Sequence, residues 1–592
     1  MRSHLITNES CSQYLDTTKH FEAKSQNLQP RIRVGLLLDD RLAPRWVHET
    51  IERLLCAESV ELVAIILDSK PRASRLPPRF SLFSLWRKFD KWVFCQDNDP
   101  LAPEVKAHPV RTITLTAVEG MGKRALPPSD LVRIRNYKFD VLVHLGSGDF
   151  PEGILSCANY GVWDFHYGGH NAAEGDVALF WNLNSNLFMY ELVLRATTET
   201  PRLERVLCRR LFPRHLFSLE YNLALDCRRR AQILLQRLSD LYRNGWISVV
   251  IEDRDTNPVD ERIDCPSLSR MTALWLVRSL RRLLERARCR EQWAFAYSNT
   301  YAGADIEPTA SVPLTLVAPP KGQNYADPFL FEHRGRTYIF FEECSDEGAG
   351  SICCTELHAD GTLGEMHRVL TRNYHLSYPF VFEWHGDVYL LPESMENHAV
   401  EVYRAVDFPL RWELAAVLLS DVSAVDSTIL EHNGKLWLFA AGLGGLGTEW
   451  SELSLFFADS LFGEWRPHPK NPIVRDARRA RPAGRLFFRN ESLIRPGQNC
   501  SVCYGYAISF NRVDILSETD YRETPLTTFL PNWMPGLSGT HTFNQQSGIR
   551  VLDGRVLVPR WRARPAHARC ISGRISVPRP DHRASHSVSG RV

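Results

Sequence analysis

A single phrase recurs three times in the C-terminal half of this sequence, and it restricts the fold more tightly than any other feature. Asp327-Pro328-Phe329-Leu330-Phe331-Glu332-His333-Arg334-Gly335 runs into the aromatic stretch Thr337-Tyr338-Ile339-Phe340-Phe341-Glu342. It returns as Tyr378-Pro379-Phe380-Val381-Phe382-Glu383-Trp384-His385-Gly386 before Val388-Tyr389-Leu390-Leu391-Pro392-Glu393. A third copy runs Asp426-Ser427-Thr428-Ile429-Leu430-Glu431-His432-Asn433-Gly434 before Leu436-Trp437-Leu438-Phe439. The glycine stands seven places beyond Pro328, Pro379 or Ser427, and successive glycines are 51 and 48 residues apart. Each copy predicts a β-hairpin: an apolar strand, a tight turn with Gly where φ is positive, and an aromatic return strand. Weaker copies follow at 484–494 and 540–558. Five strand-only repeats of about 50 residues over 292–562 predict an all-β five-bladed propeller.

The chain has 592 residues, enough for two or more domains with separate cores. A net charge of +2 gives no overall pull toward nucleic acid. No stretch approaches about 18 uninterrupted apolar residues, so no integral membrane segment is expected. Residues 1–30 are polar, lack the apolar run of a signal peptide, and are expected to be a disordered leader. Fourteen cysteines without a framework spacing suit reduced thiols and a cytoplasmic location. Cys500-Ser501-Val502-Cys503 lacks a second pair and is assigned to strand residues, so no metal is expected. The sequons at Asn490 and Asn499 have no secretory context.

Ahead of the repeats, 31–39 and 61–67 are continuous apolar runs flanking a helical pattern at 46–55. That β-α-β order implies a parallel sheet buried on both faces. An Arg/Pro/Phe-rich insertion occupies 71–99. A helix capped at Ser129, a strand at 139–144, a short helix at 151–157 and a strand at 160–166 follow. Residues 216–291 are predicted to be a helical connector whose Arg-rich faces are solvated. Residues 293–297 alternate and are expected to close the propeller as an outer strand. The expected organisation is a leader (1–30), an α/β parallel-sheet domain (31–215), the connector (216–291), the propeller (292–562) and a disordered tail (563–592).

The run Phe139-Asp140-Val141-Leu142-Val143, Pro151-Glu152-Gly153-Ile154-Leu155, Gly161-Val162-Trp163-Asp164-Phe165-His166 resembles the N-terminal domain of the formyltransferase family, which includes methionyl-tRNA and sugar N-formyltransferases. The resemblance covers about 31–215. It implies a formyltransferase-like fold, a 10-formyltetrahydrofolate donor (otherwise no cofactor) and an amine acceptor. His166 matches the histidine of the family's Asn-x-His, Asp164 stands where the family has Asn, and Glu204 falls nearest the family's later Asp. The implied catalytic set is therefore His166, Asp164 and Glu204. The swap has a chemical consequence. A tetrahedral oxyanion wants donors; an Asn amide donates, whereas an ionised Asp only accepts. Loss of one such donor costs about 2.7–4 kcal/mol in comparable sites. Asp164 and His166, two apart on a strand, point the same way and can pair. His170, Asn171 and Asp176 follow in the next loop.

In the repeats, Asp327 and Asp426 open equivalent inner strands. The antiparallel return brings Glu342 and Glu393, each fourteen places beyond its proline, back to the same face. Four carboxylates at one mouth suit sugar hydroxyls or an acid/base pair. Arg481, Arg485 and His541 supply a positive side for an anionic sugar or phosphate. Through Ala326-Asp327-Pro328-Phe329, Val425-Asp426-Ser427-Thr428, Arg481-Pro482-Ala483-Gly484 and Gly539-Thr540-His541, this half resembles the N-terminal region of plant glucosamine inositolphosphorylceramide transferases. More distantly, Asp327 and Asp426 resemble the five-bladed glycosidases of the arabinanase/xylosidase type. The literal GxGxxG at 442–447 precedes a strand pattern rather than a helix and is assigned to a blade loop. The expectation is a carbohydrate-directed, formyltransferase-like protein of glycan or glycolipid assembly, acting on a sugar or glycan, a nucleotide-sugar or a glycolipid. The alternatives are a glycosidase-like propeller and a non-catalytic glycan-binding scaffold.

Overall fold

The computed structural model describes residues 30–68, 82–94, 99–115, 118–120, 123–146, 151, 153–167, 189–199, 202–213, 217–250, 268–298, 314–345, 348–443 and 449–559. The leader before residue 30, the tail 563–592, the loop with His170, Asn171 and Asp176, and most of the 442–447 glycine run lie outside the described residues.

The N-terminal half is built on one seven-stranded sheet. Strands β1 (Ile32–Leu38), β2 (Val60–Asp68), β3 (Arg111–Leu115), β4 (Val141–His144) and β5 (Val162–Tyr167) are parallel, and β6 (Met189–Glu199) and β7 (Arg202–Pro213) continue antiparallel, in the order β7-β6-β5-β4-β1-β2-β3. The longer helices among the described residues are α1 (Arg45–Cys56), α2 (Leu82–Phe94), α3 (Pro128–Arg135), α4 (Leu219–Asn244) and α5 (Leu268–Arg288). The apolar run of β1 feeds two cores: Val34 and Leu36 pack on the side of α1 and α4, Leu37 on the side of α3 with Ile66 and Leu142. The strand order reverses at β1 and β4, which is where open α/β sheets leave a crevice beyond their carboxyl ends.

Three expectations are corrected here. Helix α3 starts on Pro128 with Pro127 as its N-cap and no side-chain cap, so Ser129 lies in its first turn; proline's missing N–H costs nothing there. Residues 216–291 are not one connector. Helix α4, capped by the Ser218 hydroxyl on Tyr221 N at 2.9 Å, buries Leu223, Ile233, Leu234 and Leu238 in the same core as Trp163 and Leu192. At the other end, Cys289 already begins a propeller strand, Cys289–Ser298. Nor is the arginine face of α4 solvated. Arg229 and Arg237 are buried, and Arg229 lies 4.3 Å over the Phe212 ring while donating to the Tyr190 hydroxyl at 2.8 Å.

The C-terminal half is a five-bladed propeller. Blades one to four are four-stranded meanders beginning at Gln323, Ser377, Val425 and Phe487. In blade five, Ile549–Pro559 pairs along its length with Cys289–Ser298, so a strand from before blade one closes the ring. Thr315–Val317 lies outside Cys289–Ser298, which is therefore not the outermost strand expected. The turns explain the repeat. Arg334-Gly335, His385-Gly386 and Asn433-Gly434 have positive φ at both residues, the geometry of a two-residue turn matched to strand twist. Asn490-Glu491 and Ser547-Gly548 do the same in blades four and five.

Candidate functional site

Each of the first three inner strands carries a left-handed residue at its axial start: Asp327 (φ 50°), Tyr378 (φ 46°) and Asp426 (φ 52°). The pairing register slips at these points, between Ala326 and Phe329, Ser377 and Phe380, and Val425 and Thr428. Such a bulge re-aims one side chain per blade toward the axis. The return strand sets a carboxylate opposite the residue before the bulge, with Ala326 facing Glu342 and Ser377 facing Glu393.

The outcome is a buried network. Asp426 accepts from Arg481 Nε at 2.5 Å and from Gln498 Nε2 at 2.7 Å, while Arg481 also reaches Glu393 at 3.5 Å. Across the axis, His541 contacts Asp553 through Nδ1 and lies 3.9 Å from Asp327 through Nε2. Asp327 also accepts from the Thr542 hydroxyl at 2.5 Å and from Tyr378 N at 3.3 Å. His375 pairs with Glu342 at 3.3 Å and accepts from Gly350 N. The indole of Trp293 stacks on His541 with ring centroids 4.0 Å apart, and Tyr504 stands edge-on to the same imidazole while its face carries Arg481 at 5.0 Å. Thus Asp327, Glu342, Glu393, Asp426, Arg481 and His541 gather in one buried cluster at the propeller axis.

Burial governs the protonation of this group. It pushes Asp327 up to about 7 despite His541 nearby, with Asp426, Glu342 and Asp553 adding to the rise. Glu393 is likewise raised well above the carboxylate range by burial and by Asp426, against Arg481. Burial alone would lower His541, but Asp553 and Asp327 outweigh it and raise it to about 9. For His375 the same opposition, with Glu342 as partner, also ends at about 9.

Two expectations for the mouth change. Arg481 and His541 do not offer a positive side, because Asp426, Glu393 and Asp553 already hold them. Arg485 is elsewhere: it donates to Val381 O, lies 4.5 Å over the Phe380 ring, and lines a separate cavity of about 360 Å³ with Phe331, Phe382, Trp384 and Gln546. No metal was expected. Among the described residues, Asp327, His541 and Asp553 bring one ligand atom each within 4.8 Å of one another. That spacing would allow the three side chains to share a metal ion. Asp553, His375, Gln498 and Tyr504 were not singled out from sequence; only Asp553, within a repeat copy, carried a signal.

At the carboxyl end of β5, His166 Nε2 and Asp164 Oδ2 are 2.6 Å apart. Asp39 and His144, at the ends of β1 and β4, adjoin the same crevice, both within 3.0 Å of the position of a Cβ built on Gly146. Glu204 is not there. It pairs with Arg195 at 3.3 Å and sits opposite Thr197, itself opposite Val162, four residues before His166 and two strands away. Formyl transfer needs an oxyanion cradle at this spot, and among the described residues Asp164 and His166 do not form one. Asp164 is an acceptor engaged with His166, and its buried Oδ1 meets no donor among the described residues.

Comparison with known proteins matches residues 311–540 to the family described as glucosamine inositolphosphorylceramide transferase 1, N-terminal. The chain is 39% identical over 207 residues to glucosamine inositolphosphorylceramide transferase 1 of Arabidopsis thaliana, covering 33% of this chain and 26% of that protein. It is 36% identical over 266 residues to the protein of the same name from Oryza sativa subsp. japonica, covering 42% and 36%. The chain therefore spans roughly a quarter to a third of the length of these relatives. Among solved structures, a family 117 glycoside hydrolase of Zobellia galactanivorans aligns at 12% identity and a TM-score of 0.30, over 45% of this chain and 90% of that one. An α-L-arabinanase of Cellvibrio cellulosa aligns at 13% identity and a TM-score of 0.26, over 34% and 77%.

Proposed function

We propose that this protein serves glycan or glycolipid assembly and that the propeller mouth binds a sugar, an amino sugar in preference to a phosphate. The observation that carries this reading is the convergence of Asp327, Glu342, Glu393, Asp426 and Asp553 on one axis against Arg481, His375 and His541. Each cation is already held by a carboxylate, so a phosphate finds no positive partner left for it, whereas hydroxyls and an ammonium find carboxylate oxygens that accept from them. The similarity to proteins named for glucosamine and inositolphosphorylceramide supports the same class. Calorimetric titration with glucosamine, N-acetylglucosamine, myo-inositol and glucosamine 6-phosphate tests it. Binding of glucosamine, weakened in Glu342→Gln, is expected; preference for the phosphate, or no sugar bound, overturns it.

One observation favours a second reading, glycosidic chemistry. Asp327, raised to about 7, is placed to act as a general acid among other carboxylates. Turnover of a chromogenic glycoside lost in Asp327→Asn supports it, and binding without turnover leaves a non-catalytic glycan-binding scaffold. For the α/β unit we infer that formyl transfer is inefficient, because Asp164 takes the place of a donor. Consumption of 10-formyltetrahydrofolate with an amino-sugar nucleotide is expected to be at background and to rise in Asp164→Asn.

A further inference from the structure

Helices α2 and α5 stand out on the surface. Among the described residues, twelve of the twenty-nine exposed large apolar side chains lie on these two short elements, six on each. On α2 they include Leu85, Phe89 and Trp92, the last 69% exposed; on α5 they include Val277, 65% exposed, with Leu280 and Leu283. The helices pack through Trp86 and Trp275, whose ring centroids are 5.9 Å apart. On α5, only Thr272 and Trp275 are buried among the described side chains, and the exposed aliphatics recur at spacings of three and four, with the exposed Arg281 and Arg288 on the same face, four residues beyond Val277 and Leu284. The helix has six arginines and one acid, Glu285. No helix of the described residues is long and apolar enough to cross a membrane.

We propose that α2 and α5 form a docking face for an anionic lipid bilayer, lying in the plane of its surface. An apolar face whose arginines are long enough to reach back to the headgroups is what a helix needs to bury side chains among acyl chains while its cations meet lipid phosphates. The aromatic residues of α2 suit the headgroup level. The charge also selects against a second copy of this chain: a two-fold interface sets the same surface against itself, so the arginines of α5 would face each other. This face is independent of the sugar-binding reading of the propeller.

Co-sedimentation of the full chain with vesicles tests the proposal. Vesicles of phosphatidylcholine with about 30% phosphatidylserine are expected to bind at least about tenfold more tightly than phosphatidylcholine alone, and salt weakens the binding. Val277→Asp with Leu280→Asp, and separately Phe89→Glu, abolish binding with thermal unfolding unchanged, since these side chains are exposed. Arg281→Ser with Arg288→Ser removes the preference for anionic vesicles. No vesicle binding, equal binding by the variants, or a dimer in light scattering that Val277→Asp dissociates overturns the proposal.

Discussion

The guanidinium of Arg481 is buried in the propeller axis, a position that is stable only while its carboxylates remain. Asp426 at 2.5 Å is the nearer partner and Glu393 at 3.5 Å the farther. Asp426→Ala strands that cation, and we predict a loss of about 3–5 kcal/mol in chemical denaturation. Adding Arg481→Met in the same chain recovers most of it, because the unpaired charge goes too. The other half of the network sets a pH dependence. Asp327 rises from 3.8 to about 7 and His541 from 6.5 to about 9, so both bind protons more tightly in the folded state. Their contribution to stability is complete below about pH 4 for Asp327 and below about 6.5 for His541. It is lost as pH climbs through about 7 and about 9 respectively. Urea midpoints are therefore expected to fall between pH 4 and 9. In Asp327→Asn the decline between about pH 4 and 7 becomes shallower, with Glu393 still contributing to it, and the His541 step moves down because one of its supporting charges is gone.

The hairpins supply the next scale. Gly386 has φ 85°, and a Cβ added there meets nothing within 4 Å, so the cost of Gly386→Ala is the left-handed backbone alone. We predict about 1 kcal/mol in denaturation midpoints, with similar values at Gly335 and Gly434, where the surroundings are equally open. These turns are also why the propeller was legible in the sequence: glycine at a positive-φ position leaves a mark at a fixed offset. Blade four is fainter because Asn490-Glu491 makes the same turn without glycine. Helix α4 was misplaced for a different reason. Its arginines are stowed against Phe212, Tyr190 and Asp226, and three-and-four spacing cannot distinguish stowed from solvated cations. The mouth was half legible. Glu342 and Glu393 follow from strand return within one blade. Asp553 meets the backbone N of Asp327 across 226 residues, by ring closure, which no local pattern encodes.

At the scale of the molecule, the two halves are joined by buried charge. Arg210 on β7 pairs with Glu452, just ahead of the third-blade strand Leu453–Ala458, at 2.7 Å, with both side chains almost fully buried. Around this pair lie Arg237, held by Asp240, and Arg475, 4.0 Å from Asp240. Burial, with Arg237 and Arg210 close by, pushes Arg475 down to about 10. Three arginines thus face two carboxylates in a water-poor seam, and Glu452 is the anion holding the excess in check. Replacing it leaves Arg210 with the neutral Gln236 oxygen at 2.6 Å in place of a carboxylate and increases the repulsion on Arg475, so Glu452→Gln is predicted to cost about 3–5 kcal/mol. The loss falls on the contact between the halves rather than on either core, so calorimetry is expected to give one transition for the parent chain and two for this variant. Arg210→Met with Glu452→Leu removes both charges and fills similar volume, and is expected to restore the single transition. A single transition at unchanged Tm in Glu452→Gln would show that the sheet and the propeller are held together by something other than this pair.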